Sequence, residues 1–241
     1  IQRFRLVLVA VEGSIHTELD VQGTTLGAIS AAADTTWAQR NSQWGLSGKA
    51  PLSLSGSANM PLLAWVGPLL GMPVTLDGAV QATVSGSGTV NAPVLSGSIN
   101  ADKLSFNYPQ QGLAFTGGQL HATLRGDTLT LDKLLLHAGK GSLSGTGTAL
   151  LRDGKPSMQI ALLADKLAIL QRPDRQVTVS GKANVDLAPR LIRVKAKLNA
   201  DRALIELPRD DAPTLGSDVV VLGWKKPPDK TGLPTDLDFD L

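Results

Sequence analysis

The stretch Ile192 to Ala200, IRVKAKLNA, places Ile192, Val194, Ala196, Leu198 and Ala200 at every second position, with Arg193, Lys195, Lys197 and Asn199 between them. Side chains alternate across a strand, so this segment has one apolar face and one basic face. The same period of two recurs in LSLSGSA at Leu52 to Ala58, VTLDGAVQATVSGSGTV at Val74 to Val90 and DTLTLDKLLLH at Asp127 to His137. Such alternation predicts an antiparallel sheet wet on one side, because parallel strands covered by helices read as unbroken apolar runs. The 241 residues include 25 Gly and 14 Pro but only nine aromatics, which opposes long helices and favours short strands with many turns.

One helix is expected, near 61–70 in MPLLAWVGPLLG, where Pro61 suits an early helical position and Gly71 a stop. Pro68 shortens it, and its expected place is that of a cap over an apolar sheet end, with a peripheral membrane-touching wedge as the alternative. The repeated ADKL of Ala101 to Leu104 and Ala164 to Leu167, with ADRAL at Ala200 to Leu204, reads as similar turns at strand starts. Glycine within and between the strands points to a bent or rolled sheet.

Common chemistries find no support. With no cysteine there is no disulfide, thiolate nucleophile or cysteine metal site. Three scattered histidines offer no HExxH spacing. The GSLSG at Gly141 to Gly145 lacks a nucleophile-elbow spacing, and no GK dipeptide follows a Walker glycine, so neither an enzyme nor any cofactor is expected.

The net charge of +2 hides two opposed segments: residues 172–209 hold nine basic and four acidic residues, +5, and residues 210–241 hold three and seven, −4. The basic segment has no aromatics to stack bases and the acidic one repels phosphate, which argues against nucleic acid. The opening apolar run, Leu6 to Val11, is too short to span a bilayer. The last residues, TDLDFDL, alternate carboxylates with Leu237, Phe239 and Leu241, a strand pattern that leads us to read 1–241 as a single fragment of a longer architecture.

Three stretches, PVLSGSINADKLSF at Pro93 to Phe106, GLAFTGGQLHATLRGDTLTLDKLLLHAGKGSLSGTGTAL at Gly112 to Leu150 and NADRALIELPRDDAPTLGSDVVVLG at Asn199 to Gly223, resemble the C-terminal domain of the TamB family. The P-x-L-x-G turn before ADKL and the run through LPR into SDVVV are the most specific of these features. The resemblance implies an all-β fold, a strongly curved sheet forming a half-open tube, or β-taco, with an apolar interior. It also implies the periplasmic part of a single-pass inner-membrane protein of the Gram-negative envelope, paired with a TamA-like outer-membrane barrel. The family is associated with outer-membrane homeostasis, phospholipid passage and assembly of some outer-membrane proteins.

Alternation and the scarcity of helix supply a separate argument for an apolar groove that takes phospholipid acyl chains. Its candidate lining is Leu129, Leu131, Leu135, Ile192, Val194, Leu198, Ile205, Leu207, Val219 and Val221, residues that an ordinary closed β-core would also explain. Arg193, Lys195 and Lys197 are candidates for headgroup or partner contact, with a solvated strand face as the plainer reading. The alternative function is an assembly module that engages outer-membrane proteins or the barrel through exposed strand edges.

Overall fold

The computed structural model of the chain describes residues 2–11, 13–40, 43–69, 71, 73–152, 155–189, 191–206 and 235–240. Its strands are β1 (Arg3–Val11), β2 (Ser14–Gly23), β3 (Gly27–Arg40), β4 (Gln43–Leu46), β5 (Leu52–Met60), β6 (Thr75–Thr89), β7 (Ala92–Tyr108), β8 (Leu113–Arg125), β9 (Thr128–Ala138), β10 (Gly141–Arg152), β11 (Lys155–Gln171), β12 (Arg175–Ala188), β13 (Leu191–Ile205) and β14 (Thr235–Asp240). They form one 14-stranded sheet in which each strand lies beside its neighbour in sequence, with β4 off the path and paired to β3 alone. Pairing is antiparallel throughout except for β13 with β14. Tight turns make this order possible: Gly126 (φ 62°) and Gly139 (φ 63°) supply the left-handed first residue of two-residue hairpin turns.

The expected helix shrinks to α1 (Val66–Leu69), a single turn containing Pro68. Strand β5 ends at Met60, and residues 61–65 of the expected span form a bend and turn ahead of the helix. The turn lies against the approach to β6, where a Cβ on Gly67 would come within 2.3 Å of the Val74 carbonyl oxygen.

The half-open tube, the β-taco with an apolar interior, is not what forms. The sheet is elongated and open, its path running from β1 to β14 without closing, and it is not strongly curled. Glycine misleads here because its cross-strand neighbours decide its use. A Cβ on Gly86 would come within 2.8 Å of both Leu54 and Leu95, and one on Gly118 within 2.7 Å of Leu136 and Leu104. These glycines make room for leucines on the apolar face and do not by themselves turn the sheet.

The ADKL repeats are also not turns. Each sits within a strand as a β-bulge, with register shifts between Ala101 and Leu104 in β7 and between Ala164 and Leu167 in β11. The lysines take the left-handed conformation, Lys103 at φ 53° and Lys166 at φ 46°. ADRAL in β13 does the same work, since Val179 pairs with Ala200 and Thr178 with Arg202, which leaves Asp201 as the extra residue. The Lys166 amide donates to Ser180 Oγ at 2.8 Å, and that hydroxyl donates to Asp201 Oδ2 at 2.6 Å, so two of the bulges are tied across β12.

Burial is shallow. Among the described residues no large side chain is fully buried, and the buried apolar set is mostly small: Val21, Ala101, Ala122, Ala138, Ala164, Leu167, Val179 and Ala196 are among its members. At one corner the turn between β7 and β8 reaches β11, where the Gln171 amide donates to the Gly112 carbonyl at 2.8 Å. Beneath that contact Ala138, Ala164 and Leu167 cluster with Phe115, Leu143 and Ile169.

Candidate functional site: one apolar and one polar sheet face

Cross-strand partners share a face, so the register can be followed from edge to edge. Beginning at Phe4, successive partners are Val21, Ile29, Ala58, Ala82, Ile99, Ala122, Leu131, Gly147, Ile160, Val185, Val194 and Leu237. One row thus crosses every strand of the path without a polar side chain. A parallel row runs Leu6, Leu19, Ala31, Gly56, Val84, Gly97, Leu124, Leu129, Ala149, Met158, Leu187 and Ile192.

Stepping one residue along each strand moves to the other face. There the row reads Arg5, Asp20, Ser30, Ser57, Thr83, Ser98, Thr123, Thr130, Thr148, Gln159, Asp186, Arg193 and Asp236. Hydroxyls meet across the strands in its middle: Ser30 Oγ and Ser57 Oγ are 2.8 Å apart, Thr83 Oγ1 and Ser98 Oγ 3.2 Å. Thr123 donates to Asp132 Oδ2. Charge gathers toward the two ends, with Arg3 to Asp20 at 3.4 Å and Arg193 to Asp236 at 3.2 Å.

Nothing among the described residues covers the apolar face as a second layer would, and its outer strands are open to solvent: Phe4 is 63% exposed, Leu8 68% and Leu237 57%. A shallow depression of about 310 Å³ lies on this face, lined by Ile29, Ala58, Ala82, Ile99, Leu124 and Leu129 among others. Its lining also includes the small residues Ala31 and Gly56.

The candidates from sequence divide accordingly. Leu129, Leu131, Ile192 and Val194 lie in the apolar rows, and Leu198 faces Gly181 and through it Ala164 on the same side. Leu135 lies opposite Gln119 and Ser144, on the polar face. The bulge in β9 between Leu131 and Leu134 moves Leu134 and Leu136 into the apolar set and Leu135 out of it. Ile205 ends β13 opposite Arg175 and is 63% exposed. Leu207, Val219 and Val221 lie outside the described residues.

Arg193, Lys195 and Lys197 are all on the polar face, turned away from Val194. Arg193 pairs with Asp236, and Lys197 Nζ lies 3.5 Å from Asp240 Oδ2. Reasoning from sequence left out the whole N-terminal half of the apolar face, from Phe4 through Leu124. The same alternation marks it, more faintly because alanine, glycine and serine carry it.

Ionisable groups on the polar face serve one another. His16 Nδ1 lies 2.6 Å from Asp34 Oδ1 and Nε2 3.3 Å from Glu18 Oε1, and the hydrogen bond to Asp34 leads in raising its pKa above 6.5. Asp174 is held below its ordinary value by the hydrogen bonds from Arg172 and Arg175. Among the described residues no group of three His, Cys, Asp or Glu side chains is placed to hold a metal, and no helix is long and apolar enough to cross a membrane.

An open antiparallel sheet with one continuous apolar face, and with several ionisable groups paired with one another on the other face, defines a surface-presenting domain. Residues 127–241, just under half of the chain, match the TamB C-terminal domain. No curated protein matches the chain, and no solved structure does.

Proposed function

We propose that the chain carries phospholipid acyl chains along the open apolar face of its sheet, as a periplasmic bridge segment between inner and outer membranes that contributes to outer-membrane homeostasis. The single observation behind this reading is the row from Phe4 to Leu237, in which no polar side chain interrupts the passage from one edge of the sheet to the other. Each methylene removed from water contributes about 0.8 kcal/mol, so ten of them represent about 8 kcal/mol before entropy and headgroup costs. Because the row repeats the same contact at each strand, an acyl chain moves between near-equivalent positions. The movement needs no covalent chemistry.

An open face suits this role better than a sealed core, since lipid enters from the side and its headgroup stays in water. The match of residues 127–241 to the TamB C-terminal domain favours a TamA-like outer-membrane barrel as the partner. The test is a pair of variants, Leu131→Lys and Val194→Asp, in the purified chain. Lipid photocrosslinking and copurified phospholipid, read by mass spectrometry, fall several-fold in both while circular dichroism keeps the sheet signature. Unchanged lipid in folded variants overturns the reading.

A further inference from the structure

The last strand departs from the rule that the rest of the sheet obeys. β14 runs parallel to β13, is reached through residues 206–234, and covers Ile192 to Lys197 of a strand that continues to Ile205. Its carboxylates fall in register with the cations of β13: Asp236 opposite Arg193, Asp238 opposite Lys195 and Asp240 opposite Lys197. Between them Leu237 lies opposite Val194 and prolongs the apolar row. Three cations of the basic segment 172–209 and three carboxylates of the acidic segment 210–241 therefore meet at this edge.

The forces that hold β14 are weak in kind. Parallel pairing is less stable per residue than antiparallel pairing. The ion pairs are open to water, with the Lys197 side chain 84% and the Asp240 side chain 69% exposed, so salt screens them. Closing the connection back onto β13 costs chain entropy that the tight hairpins elsewhere avoid. A strand with the clearest charge code in the sheet is thus also one of the least firmly held.

We propose that β14 is an exchangeable edge strand, and that the β13 edge beneath it is a docking site for a partner polypeptide strand bearing carboxylates at alternate positions and apolar side chains between them. The partner adds to the sheet by backbone pairing, its carboxylates meet Arg193, Lys195 and Lys197 on the polar face, and its apolar residues continue the apolar face. β14 occupies the edge in the meantime and keeps it from indiscriminate pairing. Lipid carriage uses the face and this docking uses the edge, so the two are tested separately.

A fluorescent peptide of sequence TDLDFDL tests the proposal on the whole chain by anisotropy. A variant with Asp236→Lys, Asp238→Lys and Asp240→Lys, whose own β14 is repelled from β13, binds the peptide at least tenfold more tightly than the unsubstituted chain. High salt weakens the binding, and adding Arg193→Glu, Lys195→Glu and Lys197→Glu abolishes it. A peptide with lysines in place of the aspartates does not bind. The absence of native cysteine permits a second measurement: Lys195→Cys, incubated with a peptide whose cysteine, at the position of Asp238, is activated as its mixed disulfide with thionitrobenzoate, forms the protein–peptide disulfide by thiol–disulfide exchange and releases thionitrobenzoate. Failure of both the binding and the disulfide in folded chains overturns the proposal. Where the triple variant does not fold, the Lys195→Cys chain decides alone: an adduct supports exchange and its absence rejects it.

Discussion

The two faces of this sheet are made from the same strands, one residue out of step, and they differ in almost every property. Leu131 and Thr130 are sequence neighbours, yet one lies in a row with Ile160 and Val194 and the other in a row with Thr148, Gln159 and Arg193. The polar face satisfies itself, with serine and threonine hydroxyls in the middle and ion pairs toward the edges. The apolar face has only shallow burial and large side chains left in the open. A soluble domain would ordinarily hide such a face against another layer, and its persistence across every strand of the path is what gives it a functional reading.

The sharpest way to break the contrast is to put a charge where the apolar face is best buried. Ala138 is 1% exposed and packs with Ala164 and Leu167, so Ala138→Asp lowers stability by about 3–5 kcal/mol in urea unfolding, the cost of an unpaired buried carboxylate. Thr130→Asn, on the other face, stays within about 0.5 kcal/mol. Next in size is crowding: Gly86→Val drives a side chain into Leu54 and Leu95 and costs about 1–3 kcal/mol by the same measurement.

A smaller effect, of opposite sign, comes from the bulges. Lys166 holds a left-handed backbone at φ 46° that glycine adopts without strain, and Lys166→Gly stabilises the chain by about 1 kcal/mol. Lys166→Val, by contrast, destabilises it. The smallest lies wholly on the polar face. NMR titration places His16 above 6.5, and Asp34→Asn brings it back down. Because the folded pKa is raised, the contribution of His16 to stability is complete below about pH 6.5 and is lost as pH rises through the higher folded value.

Much of the fold is legible in the sequence, and the parts that are not share a cause. IRVKAKLNA and TDLDFDL show their two faces by alternation alone, and the structure pairs them as β13 and β14. DTLTLDKLLLH does not reveal its bulge, so Leu135 reads as apolar-facing when its partners are Gln119 and Ser144. ADKL contains turn-forming residues, and nothing local distinguishes a turn from a bulge whose partner strand carries Gly118 or Gly181 opposite it. Curvature fails for the same reason: Gly86 and Gly118 look like hinges until the leucines on the neighbouring strands are known. Periodicity is a property of one strand, whereas bulges, glycine clearance and the open shape belong to pairs of strands.

The central claim is that lipid contacts one face along its whole width. A photocrosslinking residue introduced singly at Ile29, Ile99, Leu131 and Val194, and at their neighbours Ser30, Ser98, Thr130 and Lys195, tests it directly when the adducts are read by mass spectrometry. The account predicts phospholipid adducts at all four apolar positions and none at the four polar ones. Adducts shared equally by both sets, or absent from the apolar set in a folded chain, would contradict it.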